Sequence, residues 1–147
     1  MGLKNAGRRS LEQELVSRNL RITKQRRLLI KIIQNSAHHL DAENLWIRAR
    51  AVDPTINRVT VYRTLAMLKK QGLVDELDLM HVAGDKHFYE ARRSRDHIHL
   101  ACITCGRIIE FTSSWLEKLK SHIERDKRFR INCVRVEAGG VCQHCRK

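Results

Sequence analysis

Aromatic residues are scarce in this 147-residue chain, at 5%, although hydrophobic residues reach 42%. Any core is therefore expected to be aliphatic and modest in size. No apolar run approaches membrane-spanning length, and the N-terminus lacks a signal-peptide hydrophobic stretch. Those absences argue against a membrane protein and set the expectation of a cytoplasmic one. Internal repeats and low-complexity tracts are also missing. Acidic residues are in deficit, with 16 Asp and Glu against 29 Lys and Arg and a formal net charge of +13. Such a balance favours polyanionic partners, nucleic acid before an anionic membrane surface; the bland alternative is a merely soluble basic protein.

The length suits one domain or two small ones sharing an interface. Residues 1–31 carry nine basic side chains (Lys4, Arg8, Arg9, Arg18, Arg21, Lys24, Arg26, Arg27 and Lys31) against Glu12 and Glu14. Basic excess also continues past residue 91, so charge alone marks no single binding face.

Hydrophobic spacing then orders the chain. Ser10 is placed to cap a short helix carrying Leu11, Leu15 and Val16, and Thr23 opens a second with Leu28, Leu29, Ile32 and Ile33 in one stripe. Asp41 reads as the cap of a third helix that buries Leu45, Trp46 and Ala49 and stops before Asp53-Pro54. Asn57 begins a fourth, with Val61, Leu65 and Leu68 inward and Gly72 as terminator. Residues 73–79 and 86–90 then read as two strands joined by a turn around Ala83-Gly84-Asp85. Helices followed by a two-stranded hairpin is the order of a winged helix-turn-helix.

Arg92-Arg93-Ser94-Arg95 is the sharpest shift in composition and reads as a hinge. The expected domains are 1–91, a winged-helix DNA-binding unit, and 96–147, a small α/β unit, with 92–95 between them. In the second unit, residues 98–103 and 107–111 read as strands around a Cys-x-x-Cys-Gly turn. Residues 114–126 read as a helix with Trp115, Leu116, Leu119 and Ile123 on one side. Residues 129–137, including Phe129, Ile131, Cys133 and Val136, read as a further strand, with Cys133 buried in it. The fold class is α+β.

If Val61, Leu65 and Leu68 face the core, helical periodicity puts Val59, Arg63 and Lys70 on the opposite face, flanked by Thr60 and Tyr62. Arginine can pair two-pronged with guanine, and Val, Thr or an aromatic ring can meet a thymine methyl, so this face suits a major groove. An ordinary solvated helix face is the competing reading. A reader helix also needs phosphate contacts to fix its register, for which Arg21, Lys24 and Arg26 are the candidates.

Two pairs, Cys102-Ile-Thr-Cys105 and Cys142-Gln-His-Cys145, offer four thiolates. That set selects tetrahedral zinc, and a closed four-cysteine site is structural because no coordination position stays open for chemistry. A disulfide is disfavoured by compartment. A redox pair needs a helix N-terminus to lower its thiol pKa, whereas Cys105-Gly106 falls between strands. The four-thiolate set likewise leaves no open metal position or pocketed base for an enzyme. Two residues apart on a strand, His97 and His99 share a face and can present both imidazoles to one ion. Glu90 and Glu110 are carboxylates able to complete such a site.

With these motifs assembled, the chain resembles the ferric uptake regulator family of bacterial repressors over nearly its whole length. The matching residues are Thr23 with Arg26, His38-His39-Leu40-Asp41-Ala42-Glu43, Thr60-Val61-Tyr62-Arg63-Thr64-Leu65 and Phe88-Tyr89-Glu90. His97-Ile98-His99-Leu100-Ala101-Cys102, Cys105-Gly106, Gly140-Val141-Cys142 and Cys145 match as well. The resemblance implies a homodimer of winged helices, the second unit serving dimerisation, that binds inverted, A·T-rich operator DNA when a regulatory metal is loaded. It implies a hinge sensor site of His39, Glu90, His97, His99 and Glu110, and a structural zinc on Cys102, Cys105, Cys142 and Cys145. Tyr62 and Arg63 fall where the family contacts bases and backbone.

Many members carry an additional metal site, using an Asp between the two histidines, a His just before them, a helix Glu and a late-strand His. Those positions here read Ile98, Asp96, Glu117 and Val134, and Ile98 and Val134 cannot ligate. That site is expected to be absent. Three imidazoles and two carboxylates suit Fe(II) or Mn(II), with Zn(II) also possible. Zinc-sensing relatives often place a thiolate where Glu90 stands, and peroxide-sensing ones an Asp where Glu110 stands, so iron is the favoured reading. The alternatives are a zinc-, manganese- or peroxide-responsive relative, or a constitutive zinc-stabilised DNA-binding protein.

Overall fold

A computed structural model describes residues 9–36, 38–79, 84, 86–92 and 96–146. They fall into two compact units, one drawn from Met1–Glu76 and Phe88–Arg92 and the other from Leu77–His87 and Arg93–Lys147. Within the sequence-expected hinge only Arg92 lies among the described residues; Arg93, Ser94 and Arg95 lie outside them, as do Ala83 and Asp85 of the expected turn. No helix among the described residues is long and apolar enough to cross a membrane.

The first unit is built on four capped helices, α1 (Leu11–Ser17), α2 (Lys24–Asn35), α3 (Ala42–Arg50) and α4 (Arg58–Lys70). Each starts where a side-chain oxygen accepts a hydrogen bond from a first-turn backbone N–H. Ser10 accepts from Gln13, Thr23 from Arg26, Asp41 from Asn44 and Asn57 from Thr60. Ser10 and Gln13 form a reciprocal capping box. After α4 the chain reverses at Gly72, whose φ of +64° is a conformation that suits glycine, and the Leu73 N–H donates to the Leu68 carbonyl.

The expected stripes form the core, with adjustments. Leu11, Leu15, Leu29, Ile30, Ile33, Leu45, Ala49, Val61, Leu65 and Leu68 are buried together, each large side chain contributing about 2 kcal/mol of apolar burial. Leu28, Ile32 and Trp46 are only partly buried against that cluster, and Val16 lies out in solvent. Beyond the helices, β2 (Val74–Leu77) and β3 (Phe88–Ala91) neighbour each other, as the hairpin reading expects. A two-residue strand that the sequence reading did not anticipate, β1 (Leu40–Asp41), pairs antiparallel with β3, giving the order β1-β3-β2.

The second unit carries a sheet of order β5-β4-β6, from β4 (Ile98–Cys102), β5 (Ile108–Phe111) and β6 (Val136–Gly140), together with α5 (Ser114–Lys127). β4 and β5 are antiparallel, while β4 and β6 are parallel, with Cys102 opposite Gly140. Two expectations are corrected here. The last strand begins at Val136 rather than 129, and Cys133 is exposed outside any strand. The apolar side of α5 is also not a core face within one chain: Leu116 is buried, but Trp115 is 74% exposed and Leu119 and Ile123 are open to solvent.

Candidate metal centres and nucleic-acid interface

The Cys102–Cys105 turn follows β4 directly and is closed by the Gly106 N–H donating to the Cys102 carbonyl at 2.9 Å. Gly106 has φ +70°, so the tight reversal falls on a residue without a Cβ. A second turn of the same kind ends the chain, where the Cys145 N–H donates to the Cys142 carbonyl. The parallel β4–β6 pairing delivers the two turns to one place: Cys102 lies opposite Gly140, two residues before Cys142.

All four sulfurs lie within 4.8 Å of one another, and Cys105 Sγ is 3.8 Å from Cys142 Sγ. A zinc–sulfur bond of about 2.3 Å in a tetrahedron requires sulfurs about 3.8 Å apart, whereas a disulfide needs about 2.05 Å. The cluster therefore fits a structural zinc ion, and the cysteines are free. Backbone N–H groups of Cys142 and Cys105 lower the Cys102 thiol to about 5, so one ligand is prepared as thiolate. Hydrogen bonding with the Cys142 and Cys105 thiols raises Cys145 to about 12. His144, between two ligands, has its Nδ1 2.9 Å from an Arg107 guanidinium nitrogen.

Nitrogen and oxygen donors are paired within each unit. In the first, the register Leu40↔Tyr89 and Asp41↔Phe88 makes His39 and Glu90 the next opposed pair, and His39 Nε2 lies 3.1 Å from Glu90 Oε2. In the second, His97 Nε2 and His99 Nε2 are 3.1 Å apart, their rings meeting at 65°. Glu110 sits opposite His99 in the β4–β5 register. Both imidazoles thus direct a ring nitrogen to one spot, as two ligands of one ion would. Asp96, just before this pair, is bound to the Lys120 ammonium at 3.1 Å.

Helix α4 has two distinct faces. Val61, Thr64, Leu65 and Leu68 are buried, while Val59, Tyr62, Arg63 and Lys70 are exposed, Tyr62 at 57%. Thr60, expected to flank the outer face, is half-buried, and its hydroxyl donates to Asn57 Oδ1 at 3.0 Å as part of the cap. Arg21 and Lys24 are exposed. Arg26 is half-buried, its guanidinium donating to the Arg21 carbonyl at 3.1 Å. The sequence reading missed Arg58, at the first position of α4, and its contacts with two α3 side chains, Glu43 and Trp46. The available signal was a cation in the first turn of a helix, where the macrodipole disfavours it.

Comparison with known proteins agrees with these motifs. Residues 17–138 match the family model described as the ferric uptake regulator family. A ferric uptake regulation protein of Synechococcus elongatus is 33% identical over 141 residues, covering 94% of each chain. One from Rhizobium leguminosarum bv. viciae is 34% identical, covering 90% of this chain and 92% of its own. Among solved structures, a zinc-bound manganese uptake regulator is 34% identical with a TM-score of 0.70, covering 91% of this chain and 99% of its own. The Vibrio cholerae ferric uptake regulator superposes with a TM-score of 0.72 at 26% identity, covering 89% and 98%. The chain belongs to the ferric uptake regulator family of metal-responsive transcriptional regulators, with that family's winged-helix fold.

Proposed function

We propose that the protein is a repressor that binds inverted, A·T-rich operator DNA as a homodimer when a regulatory divalent metal, Fe(II), is loaded. The observation that carries this reading is the division of nitrogen and oxygen donors into two ready-made sets. His39 with Glu90 belongs to the unit that contains α4, and His97, His99 and Glu110 belong to the other. One ion using both sets would tie the two units into a single mutual orientation across residues 92–95. Separation of the two reader helices in a dimer would then be fixed to match half-sites on one side of the duplex. Metal raises DNA affinity on this account by removing competing orientations, and the five-donor set suits Fe(II).

α4 is the proposed reader, with Val59, Thr60, Tyr62, Arg63 and Lys70 toward the groove and Arg21, Lys24 and Arg26 toward phosphates. The second copy of the chain is assigned to the apolar side of the second unit. Ile98 opposite Phe111 and Leu100 opposite Ile109 share one sheet face, and Leu100, Ile109 and Phe111 are exposed in the single chain. A proposed cytoplasmic location accords with the free thiols of the cysteine cluster.

The test is fluorescence anisotropy on a labelled A·T-rich inverted repeat at fixed salt, titrated with Fe(II), Mn(II) and Zn(II) in separate arms. Linkage requires operator DNA to tighten metal binding by the same factor that metal tightens DNA binding. Identical metal affinity with and without DNA would sink the mechanism. A manganese uptake regulator and a Bacillus subtilis peroxide operon regulator are among the relatives, so a response confined to the Mn(II) arm would reassign the ion without removing the switch.

A further inference from the structure

Arg58 is the first residue of α4, where its charge opposes the helix dipole. Its guanidinium is nevertheless held on two sides. Arg58 Nε donates to Glu43 Oε2 at 3.0 Å and Nη2 to Glu43 Oε1 at 2.8 Å, a two-pronged pair. The flat face of the same guanidinium stacks on Trp46, with Cζ 3.9 Å from the ring centroid. Trp46 is itself tied to the segment leading into α4, its indole N–H donating to the Ile56 carbonyl at 3.1 Å. Arg50 lies over the same ring at 5.2 Å. Glu43, Trp46 and Arg50 all belong to α3. The first turn of α4 is thus joined to the helix before it by an ion pair and a stacked cation, and the segment just ahead of it by an indole hydrogen bond.

We propose that Glu43, Trp46 and Arg58 form a brace that sets the angle at which α4 is presented to DNA. Arg58 in this role is a positioning residue and not a phosphate contact. This rests on the reading of α4 as the groove-reading helix. Both prongs and the flat face of the guanidinium are engaged with α3, the arrangement of a strut between two helices. Arginine is required because lysine has a point charge that cannot fork onto a carboxylate and stack at once.

The brace makes a prediction opposite to that of simple electrostatics. Glu43→Gln removes a negative charge from a protein that binds a polyanion, so charge alone predicts tighter binding to every duplex. The brace predicts that preference for an A·T-rich inverted repeat over a scrambled duplex of equal length falls about fivefold, from loss of a stacked, paired cation. Affinity for the scrambled duplex should hold or rise. Arg58→Lys should lose preference as Arg58→Gln does, and the double variant Glu43→Gln with Arg58→Gln should be no worse than either single change. A phosphate contact behaves otherwise: Arg58→Lys would keep affinity, and Arg58→Gln would lower the salt slope by about one. That pattern, or unchanged preference in Glu43→Gln, overturns the brace. A merely unstable variant would lose both duplexes in proportion and is identified by its melting curve. If the wild type prefers neither duplex, the DNA-binding reading fails. Backbone amide exchange at residues 59–62 then judges the brace, with faster exchange in Glu43→Gln supporting it and unchanged exchange overturning it.

Discussion

His39 Nε2 and Glu90 Oε2 are 3.1 Å apart because a strand of only two residues, Leu40–Asp41, pairs with Phe88–Ala91 and sets them directly opposite each other. Both atoms are metal donors, and 51 residues of sequence separate them. A backbone ladder therefore does what spacing alone could not: it brings two of the five ligands proposed for the sensor site together.

From that pairing follows a test of the sensor against the constitutive alternative. His39→Ala or His97→Ala should reduce metal-loaded DNA affinity by tenfold or more, while metal-free affinity stays within about twofold of wild type. Anisotropy with and without metal measures both. A protein that only uses zinc for stability would keep its full affinity after either change, and such a result would end the sensing proposal.

Removal of the four-cysteine ion should act on the second unit as a folding event. Structural zinc in small domains supplies on the order of 10 kcal/mol, more than a unit of this size is expected to retain without it. Cys105→Ser or Cys142→Ser should therefore abolish the cooperative thermal transition of the sheet and cut zinc content by one ion per chain. Circular dichroism and metal analysis read these together. A variant that lost the ion but melted within a few degrees of wild type would show that the thiolates do not staple the fold.

Adjacent positions on α4 should separate stability from recognition. Val61 is 1% exposed and its neighbour Tyr62 is 57% exposed. Val61→Ala should cost about 1–3 kcal/mol in denaturant unfolding, and Leu65→Ala about 2–5 kcal/mol. Tyr62→Ala and Arg63→Ala should shift stability by less than about 0.5 kcal/mol yet weaken operator binding at least tenfold. Equal DNA affinity in those two variants would remove α4 from the groove.

The sequence carried the helices well because their signals are local. Ser10 and Asp41 cap the helices they were expected to cap, and Thr23 and Asn57, expected to open theirs, cap them as well. Non-local pairing was less legible. A two-residue strand has no period to detect, so β1 passed unseen, and with it the physical reason for the His39–Glu90 contact. β6 was expected at 129–137 from the apolar residues Phe129, Ile131 and Cys133. The true strand, Val136–Gly140, ends in two glycines and gains its place from parallel pairing with β4. The cysteine spacing pointed to one tetrahedral cluster, and the 3.8 Å sulfur separation is what that geometry needs. The brace at Arg58 was invisible because it joins residues 12 and 15 positions apart on two helices, whose crossing no spacing rule specifies.

Trp115, Leu119 and Ile123 follow a helical apolar stripe yet lie exposed on α5, and Leu100, Ile109 and Phe111 leave one sheet face uncovered. A second copy is the occupant proposed for the uncovered sheet face, which predicts a separation of assembly from folding. Leu100→Asp or Phe111→Asp places a charge where the partner would exclude water, at a desolvation cost of several kcal/mol. The dimer dissociation constant should rise by about a hundredfold or more in analytical ultracentrifugation. Melting of the dissociated chain should change little, because neither side chain is packed in a single chain's core. DNA binding should fall in step with dimerisation, since one reader helix engages one half-site and loses the gain from the second. A Phe111→Asp protein that sediments as the wild type does, at concentrations near the wild-type dissociation constant, would place the dimer contact elsewhere on the chain.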